Sequence, residues 1–362
     1  MSQFHTLTVS KVQQLTRDSI AVTLAVPPAL QAAFSYRQGQ HLTLRALIDG
    51  EDVRRSYSIC SAVQDNTLRV AIKRTAGGVF SGWANDTLQP GATLDVMPPS
   101  GQFNVALDAA HRRHYLAVAA GSGITPILSI IKTTLATEPH SRFTLLYGNR
   151  ASSSVIFRDE LADLKDSYLD RLSIAYIMSR EQQDIALFNG RLSGDKCTEL
   201  LRHWVRADDI DVAFVCGPED MTQGVLAALQ QAGMPREAIK TELFFACSAG
   251  SASPRLRSGA TALPACAAST DVTVIMDGSA ASFSMRRDDE SLLDAGLRAG
   301  IDLRYACKGG VCSTCRCKLV EGQVDMDANY ALEDYEIARG FILTCQSFPI
   351  TDKVVIDFDQ AE

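Results

Sequence analysis

Cys307-Lys308-Gly309-Gly310-Val311-Cys312-Ser313-Thr314-Cys315 sets three thiols at C-x4-C-x2-C spacing, and Cys345 follows after 29 intervening residues. Two irons bridged by sulfide need four soft anionic ligands, and this spacing is that of a [2Fe–2S] ligand set: Cys307, Cys312, Cys315 and Cys345. A short loop can wrap three of them around one cluster, while Gly309 and Gly310 let backbone N–H groups approach the sulfurs and tune the potential. Three other readings use the same residues. Buried apolar thiols rarely crowd four into eleven residues, as positions 307–317 do. Disulfides need an oxidising compartment. Structural zinc wants paired C-x2-C units or histidines, and no histidine lies beyond His203. The spare thiol, Cys317, alternates with Cys315 in Cys-Arg-Cys-Lys-Leu-Val, a strand pattern that makes it a packed side chain and not a ligand.

The rest of the chain has to explain why such a cluster is there. Its 362 residues suggest two to three domains, and 46% apolar with 21% charged is an ordinary globular balance. No run approaches 18 apolar residues, so no membrane span is expected. Met1-Ser-Gln-Phe-His-Thr lacks a basic and then apolar leader. Ten cysteines without an export signal point to a reducing, cytoplasmic setting. From Asp271 onward, 17 acidic side chains face 9 basic ones; the preceding stretch holds 25 and 26. The acidic excess serves solubility or forms a docking face around the cluster. No basic stripe appears, which disfavours nucleic acid.

Residues 1–108 read as β-rich. Thr6-Leu-Thr-Val-Ser, Ser19-Ile-Ala-Val-Thr-Leu, His41-Leu-Thr-Leu and Leu68-Arg-Val-Ala-Ile-Lys alternate between Pro, Gly, Asn and Asp, the spacing of a small antiparallel barrel. Arg54-Arg55-Ser56-Tyr57-Ser58 ends a strand pattern with cations, an aromatic and hydroxyls. Gly77-Gly78-Val79-Phe80-Ser81 then opens a helix, Ser81-Gly-Trp-Ala-Asn, whose N-terminus suits a phosphate.

Residues 109–246 switch to alternating strands and helices. Apolar runs at Tyr115–Ala120, Phe143–Tyr147, Leu172–Met178 and Val212–Cys216 flank helical patterns such as Ile127–Leu135 and Met221–Leu229. That is a parallel, doubly wound sheet covered on both faces. Its first turn, Gly121-Ser-Gly-Ile-Thr-Pro126, is an incomplete dinucleotide fingerprint, with Pro126 in the last glycine's place. The last strand runs into Cys216-Gly217-Pro218, at the carboxyl edge where such sheets bind ligands. A buried, inert cysteine is the other reading there. His111 and His114 stand at the domain junction and are expected to be solvated.

Residues 247–269 are small, polar and rich in Gly and Pro, a flexible linker. The last domain, 270–362, begins with a hairpin turned at Asp277-Gly278. A helix follows with Asp288 as N-cap and Leu292, Leu293 and Leu297 on one face.

These motifs together resemble the ferredoxin–NADP reductase superfamily, in the branch with a C-terminal plant-type ferredoxin domain, along essentially the whole chain. The resemblance implies an antiparallel β-barrel flavin domain, an α/β nucleotide domain and an α+β (β-grasp) ferredoxin domain. It implies FAD, with Arg55 at its pyrophosphate, Tyr57 and Ser58 at its ring, and Gly78, Val79, Phe80 and Ser81 at its phosphates. Gly121, Gly123 and Thr125 would carry the nicotinamide dinucleotide, and Cys216-Gly217 would sit beside the nicotinamide. Ser58 and Cys216 would align the reacting atoms. Glu242 and Phe244 fall near the flavin's exposed face, although Phe245 competes with Phe244. Met178-Ser179-Arg180-Glu181 is similar to the pair that holds a 2′-phosphate, so Ser179 and Arg180 imply NADPH. The resemblance is to the subfamily of reductases serving di-iron oxygenases that epoxidise phenylacetyl-CoA. The expected partner is therefore the set of oxygenase subunits of a multicomponent di-iron monooxygenase. A reductase for a Rieske dioxygenase or a steroid hydroxylase would use the same motifs. A cluster-based redox sensor would leave the flavin and nicotinamide motifs without a role.

Overall fold

The computed structural model describes residues 4–244, 269–287 and 290–360, and the chain divides into two compact units at Phe245 and Ala246.

In the first unit, β1 (His5–Thr16), β2 (Ser19–Ala25), β3 (His41–Ile48), β4 (Glu51–Ser58), β5 (Leu68–Lys73) and β6 (Thr93–Val96) form an antiparallel sheet in the order β4-β3-β6-β1-β2-β5. A bridge between Ile59 and Val70 joins its two end strands, so the sheet curls into a barrel. Alternation decides the inside: Leu7, Val9, Val22, Leu42, Leu44, Val70 and Ile72 are all buried in one core. Helix α1 (Val79–Thr87) packs Phe80 and Ala84 onto that core, starting two residues before the expected helix.

The same unit continues as β7 (His114–Ala120), α2 (Ile124–Thr137), β8 (Arg142–Asn149), α3 (Arg158–Ser167), β9 (Leu172–Met178), α4 (Gly194–His203), β10 (Val212–Gly217), α5 (Glu219–Gln231) and β11 (Ile239–Leu243). The five strands are parallel, in the order β11-β10-β7-β8-β9. Each face has its own core. Tyr115, Ala117, Phe143, Leu145 and Phe214 meet α2, and Leu116, Val118, Ala213 and Val215 meet Val225 and Leu229 of α5. The strand order reverses between β7 and β10, which opens a crevice at their carboxyl ends. Thr241-Glu-Leu, which no strand pattern marked in the sequence, is the carboxyl end of the edge strand β11.

The junction histidines are not simply solvated. His111 Nδ1 lies 2.8 Å from Glu138 Oε1, and His114 Nε2 lies 2.8 Å from Thr144 Oγ1. Glu138 is wholly buried and also accepts from Tyr115, Ser141 and the Asp108 N–H, so a paired, buried acid draws the junction inward.

The second unit holds β12 (Ser269–Met276), β13 (Ser279–Arg286), α6 (Leu292–Arg298), β14 (Arg316–Glu321), β15 (Val324–Met326), α7 (Asp334–Ala338), β16 (Phe341–Leu343), β17 (Ser347–Pro349) and β18 (Lys353–Asp357). Its main sheet runs β13-β12-β18-β14-β16, with β12 and β18 parallel and the other pairs antiparallel, and β15 pairs separately with β17. The hairpin turns at Asp277 and Gly278, both with positive φ, as a two-residue turn of this hand requires. Ser291 caps α6, accepting from the Asp294 N–H, and Leu292 and Leu293 are buried beneath it. Asp288 lies outside the described residues, as does the proposed linker except Ser269, the first residue of β12.

Candidate functional site

The crevice at the strand reversal brings together residues far apart in sequence. The Gly121–Gly123 turn leads from β7 into α2, and Tyr147 donates its hydroxyl to Gly121 O at 2.9 Å. A Cβ on Gly123 would stand 2.1 Å from Cys216 O, so only glycine lets this turn pack against the end of β10. Thr125 is buried and donates to Ser122 O at 3.0 Å, tying the helix to the turn. Cys216 and Glu242 are register partners on β10 and β11. From the barrel, Ser58 at the end of β4 reaches the same place: its Oγ lies 3.3 Å from Glu242 Oε2, and Cys216 Sγ lies 4.0 Å from that oxygen. Burial first, and then the Glu242 carboxylate, push the Cys216 thiol well above the usual range, so it stays protonated. Phe244 follows, half-buried, its N–H donating to Gly217 O at 3.2 Å; Phe245 lies outside the described residues.

Beside this point the barrel offers a groove edge. Arg55 and Tyr57 share one face of β4, Arg55 leaning on Arg54 O at 2.7 Å and Tyr57 resting on Phe80 with ring centroids 5.6 Å apart. Between them the Ser56 hydroxyl is buried without a hydrogen-bond partner among the described residues. Gly78 begins α1, and no side chain caps that helix end. Ser81 folds back inside it, donating to Gly78 O and accepting from the Thr75 N–H. Val79 is exposed, whereas Phe80 and Ser81 are buried, Phe80 in the apolar core. An uncapped helix end packed against the strand that carries an arginine fits a phosphate-bearing cofactor, while Ser56 points to the opposite face of β4.

Farther along the sheet edge, Ser179 and Arg180 pair through their N–H groups with the carbonyls of Asn149 and Arg150 at 2.9 and 2.8 Å. Two exposed guanidinium groups, Arg150 and Arg180, therefore leave from adjacent backbone positions. Glu181 clamps the two loops: it accepts from the Ser152 N–H at 2.7 Å and from the Ser152 hydroxyl at 2.5 Å. Sequence reading missed Lys73. It ends β5 of the barrel, and its Nζ stands 3.7 Å from where a Gly121 side chain would begin. No local pattern distinguishes it from any other lysine ending a strand.

In the second unit the four thiols form two contacting pairs, Cys307 with Cys312 and Cys315 with Cys345. Within the second pair Cys315 donates to Cys345, which raises the Cys315 pKa and lowers that of Cys345. Two-and-two is the arrangement two irons require. The Gly309 N–H donates to Cys307 Sγ at 3.3 Å, and the Gly310 N–H to Cys345. Gly310 has φ +75°, and a Cβ there would stand 2.8 Å from Ala328 O. Lys308 and Ser313 also take positive φ, a cost of about 1 kcal/mol each that curls the loop around the thiols. Cys317 is wholly buried in β14, in the apolar core that also holds Leu303, Leu343 and Ile356, and it pairs across the sheet with Ile342.

Residues 6–105 match the oxidoreductase FAD-binding domain, residues 117–226 the oxidoreductase NAD-binding domain, and residues 274–349 the 2Fe-2S iron-sulfur cluster binding domain. Over 359 residues the chain is 47% identical to a component of the 1,2-phenylacetyl-CoA epoxidase of Escherichia coli, covering 99% of each. It is 36% identical over 355 residues to the ferredoxin reductase component of 3-ketosteroid-9-alpha-monooxygenase of Rhodococcus rhodochrous, covering 97% of this chain and 96% of that one. Phthalate dioxygenase reductase shares the fold, with TM-score 0.56 and 23% identity over 98% of each chain. The chain belongs to the ferredoxin–NADP reductase superfamily, in the branch of oxygenase reductase components that carry FAD-binding, NAD-binding and C-terminal [2Fe–2S] domains.

Proposed function

We propose that this chain oxidises NADPH and passes the electrons one at a time to a di-iron oxygenase that epoxidises phenylacetyl-CoA, in the cytoplasm. When bound, the nicotinamide supplies an electron pair as hydride, the flavin divides it and the cluster carries single electrons. The chain's residues hold and align these groups. Arg55, the uncapped start of α1 at Gly78 to Ser81, and Tyr57 hold the FAD. Gly121, Gly123 and Thr125, with Lys73, hold the nucleotide's pyrophosphate, and Ser179 and Arg180 its 2′-phosphate. Ser58 and Cys216 fix the reacting faces, Cys216-Gly217 and Phe244 flank them, and Glu242 orders both side chains and offers a proton-accepting oxygen. Cys307, Cys312, Cys315 and Cys345 ligate the cluster. The observation that carries this reading is the meeting of Ser58 and Cys216 on one Glu242 oxygen, at the crevice where β7 and β10 part.

The choice of oxygenase is carried by the 47% identity along the full length of the epoxidase component. The ketosteroid component, at 36%, supports the second reading, a reductase for a steroid hydroxylase. Purified chain mixed with each candidate oxygenase decides between them. NADPH-driven product formation with the phenylacetyl-CoA oxygenase alone is expected, and turnover with the steroid oxygenase alone would overturn the assignment.

A further inference from the structure

Just beyond Ser58 the barrel leaves its own sheet and lies along a nucleotide-domain helix. Ser129 of α2 donates its hydroxyl to Ser61 O at 2.7 Å, with both residues fully buried. One turn on, Thr133 Oγ1 accepts from the Val63 N–H at 3.2 Å; another turn on, Thr137 Oγ1 accepts from Gln64 Nε2 at 2.9 Å. Ser129, Thr133 and Thr137 recur every four residues, so they form one line along the helix. The neighbouring Ile127, Ile130, Ile131 and Leu135 serve the apolar core instead. A buried hydroxyl in so apolar a helix is costly unless it is paired, and here the partners all belong to the segment after Ser58.

The first contact lies close to the reacting groups, and the other two continue it along the helix. Ser61 is three residues from Ser58, and Ser129 is one turn from Thr125 at the nucleotide end of α2. The line therefore ties the segment after the flavin-facing serine to the helix that follows the nucleotide-carrying turn. We propose that the Ser129–Thr133–Thr137 line is a positioning device for hydride transfer, fixing the angle at which nicotinamide meets flavin. The inference rests on the nicotinamide–flavin reading above. A separate ionic set holds the domains together without it: Lys132 pairs with Asp65 at 2.6 Å and with Glu160 at 3.1 Å, and Arg69 pairs with Glu160 at 2.7 Å. Losing one hydroxyl thus alters alignment and leaves the domains docked.

The test is S129A in the full chain, with T133V as the milder companion. Anaerobic stopped-flow should show hydride transfer to the flavin slowed about tenfold, since small misplacements of reacting atoms are expensive. The nicotinamide–flavin charge-transfer absorbance should weaken, while FAD content and NADP+ affinity by calorimetry stay unchanged. Hydrogen exchange, read without turnover, should show the Val63 amide losing protection in T133V. An unchanged hydride rate alongside faster Val63 exchange would overturn the proposal. So would a parallel loss of FAD and NADP+ affinity, which marks a merely structural role. If S129A does not fold, T133V is read by the same criteria. Wild-type flavin that NADPH fails to reduce would refute the underlying reading instead.

Discussion

Ser58 and Glu242 are 184 residues apart in sequence, yet the Ser58 hydroxyl lies 3.3 Å from a Glu242 oxygen that also faces Cys216. One carboxylate thus orders a hydroxyl from the barrel and a thiol from the nucleotide domain. Removing the hydroxyl by S58A is expected to slow NADPH-dependent flavin reduction about 10- to 100-fold with FAD retained. Because burial and Glu242 hold Cys216 protonated, no thiol ionisation should shape the rate near pH 8–9, where an ordinary cysteine titrates. Stopped-flow profiles of wild type and C216A test this; a limb near pH 8.5 present only in the wild type would contradict it.

Arg180 and Lys73 should separate the two halves of the nucleotide. R180A removes a charge-assisted contact worth roughly 1.5–3 kcal/mol, weakening NADPH about 10- to 100-fold and leaving NADH nearly unchanged. K73M removes charge near the Gly121 turn, which the proposed assignment gives to the pyrophosphate of both nucleotides, and should weaken the two alike. Competitive binding measured with both nucleotides decides it. If R180A affects both equally, Arg150 becomes the 2′-phosphate residue.

The thiol pairs predict opposite outcomes for neighbouring cysteines. C312S should lose cluster absorbance and electron flow to cytochrome c, yet keep FAD and ferricyanide reduction, because the FAD-binding domain lies in the other compact unit. Wild type should contain about two irons per chain. C317S should keep the cluster and lose about 1–2 kcal/mol of stability from a hydroxyl in the core. Loss of the cluster in C317S with retention in C315S would displace the assigned ligands.

Glu138 gives a stability prediction with a sign. Burial by itself raises its pKa, but hydrogen bonds from Ser141, His111, the Asp108 N–H and Tyr115 outweigh it and leave the net value lowered. A depressed folded-state pKa contributes stability above the ordinary carboxyl range and loses it as pH falls through the folded value. E138Q should therefore cost about 1–3 kcal/mol at pH 7, with the deficit shrinking below about pH 4. Denaturant titrations at the two pH values measure it, and a deficit independent of pH would show that charge is not the cause.

Much of this protein could be read from local pattern because its chemistry is local there. Three of the four thiols assigned to the cluster lie within nine residues, and one short loop fixes their mutual geometry. Continuous apolar runs marked β7 to β10, since strands covered on both faces have no polar side. The sequence left Glu242 on an unrecognised edge strand, Lys73 as one strand-end lysine among others, and Glu138 as an ordinary acid. Each acquires its meaning from a partner brought in across the fold: Ser58 and Cys216, the Gly121 turn, and His111 with Tyr115. Spacing along a chain constrains neighbours through the reach of the backbone. Contacts between domains depend on how two separately packed cores meet, and only the tertiary structure decides that.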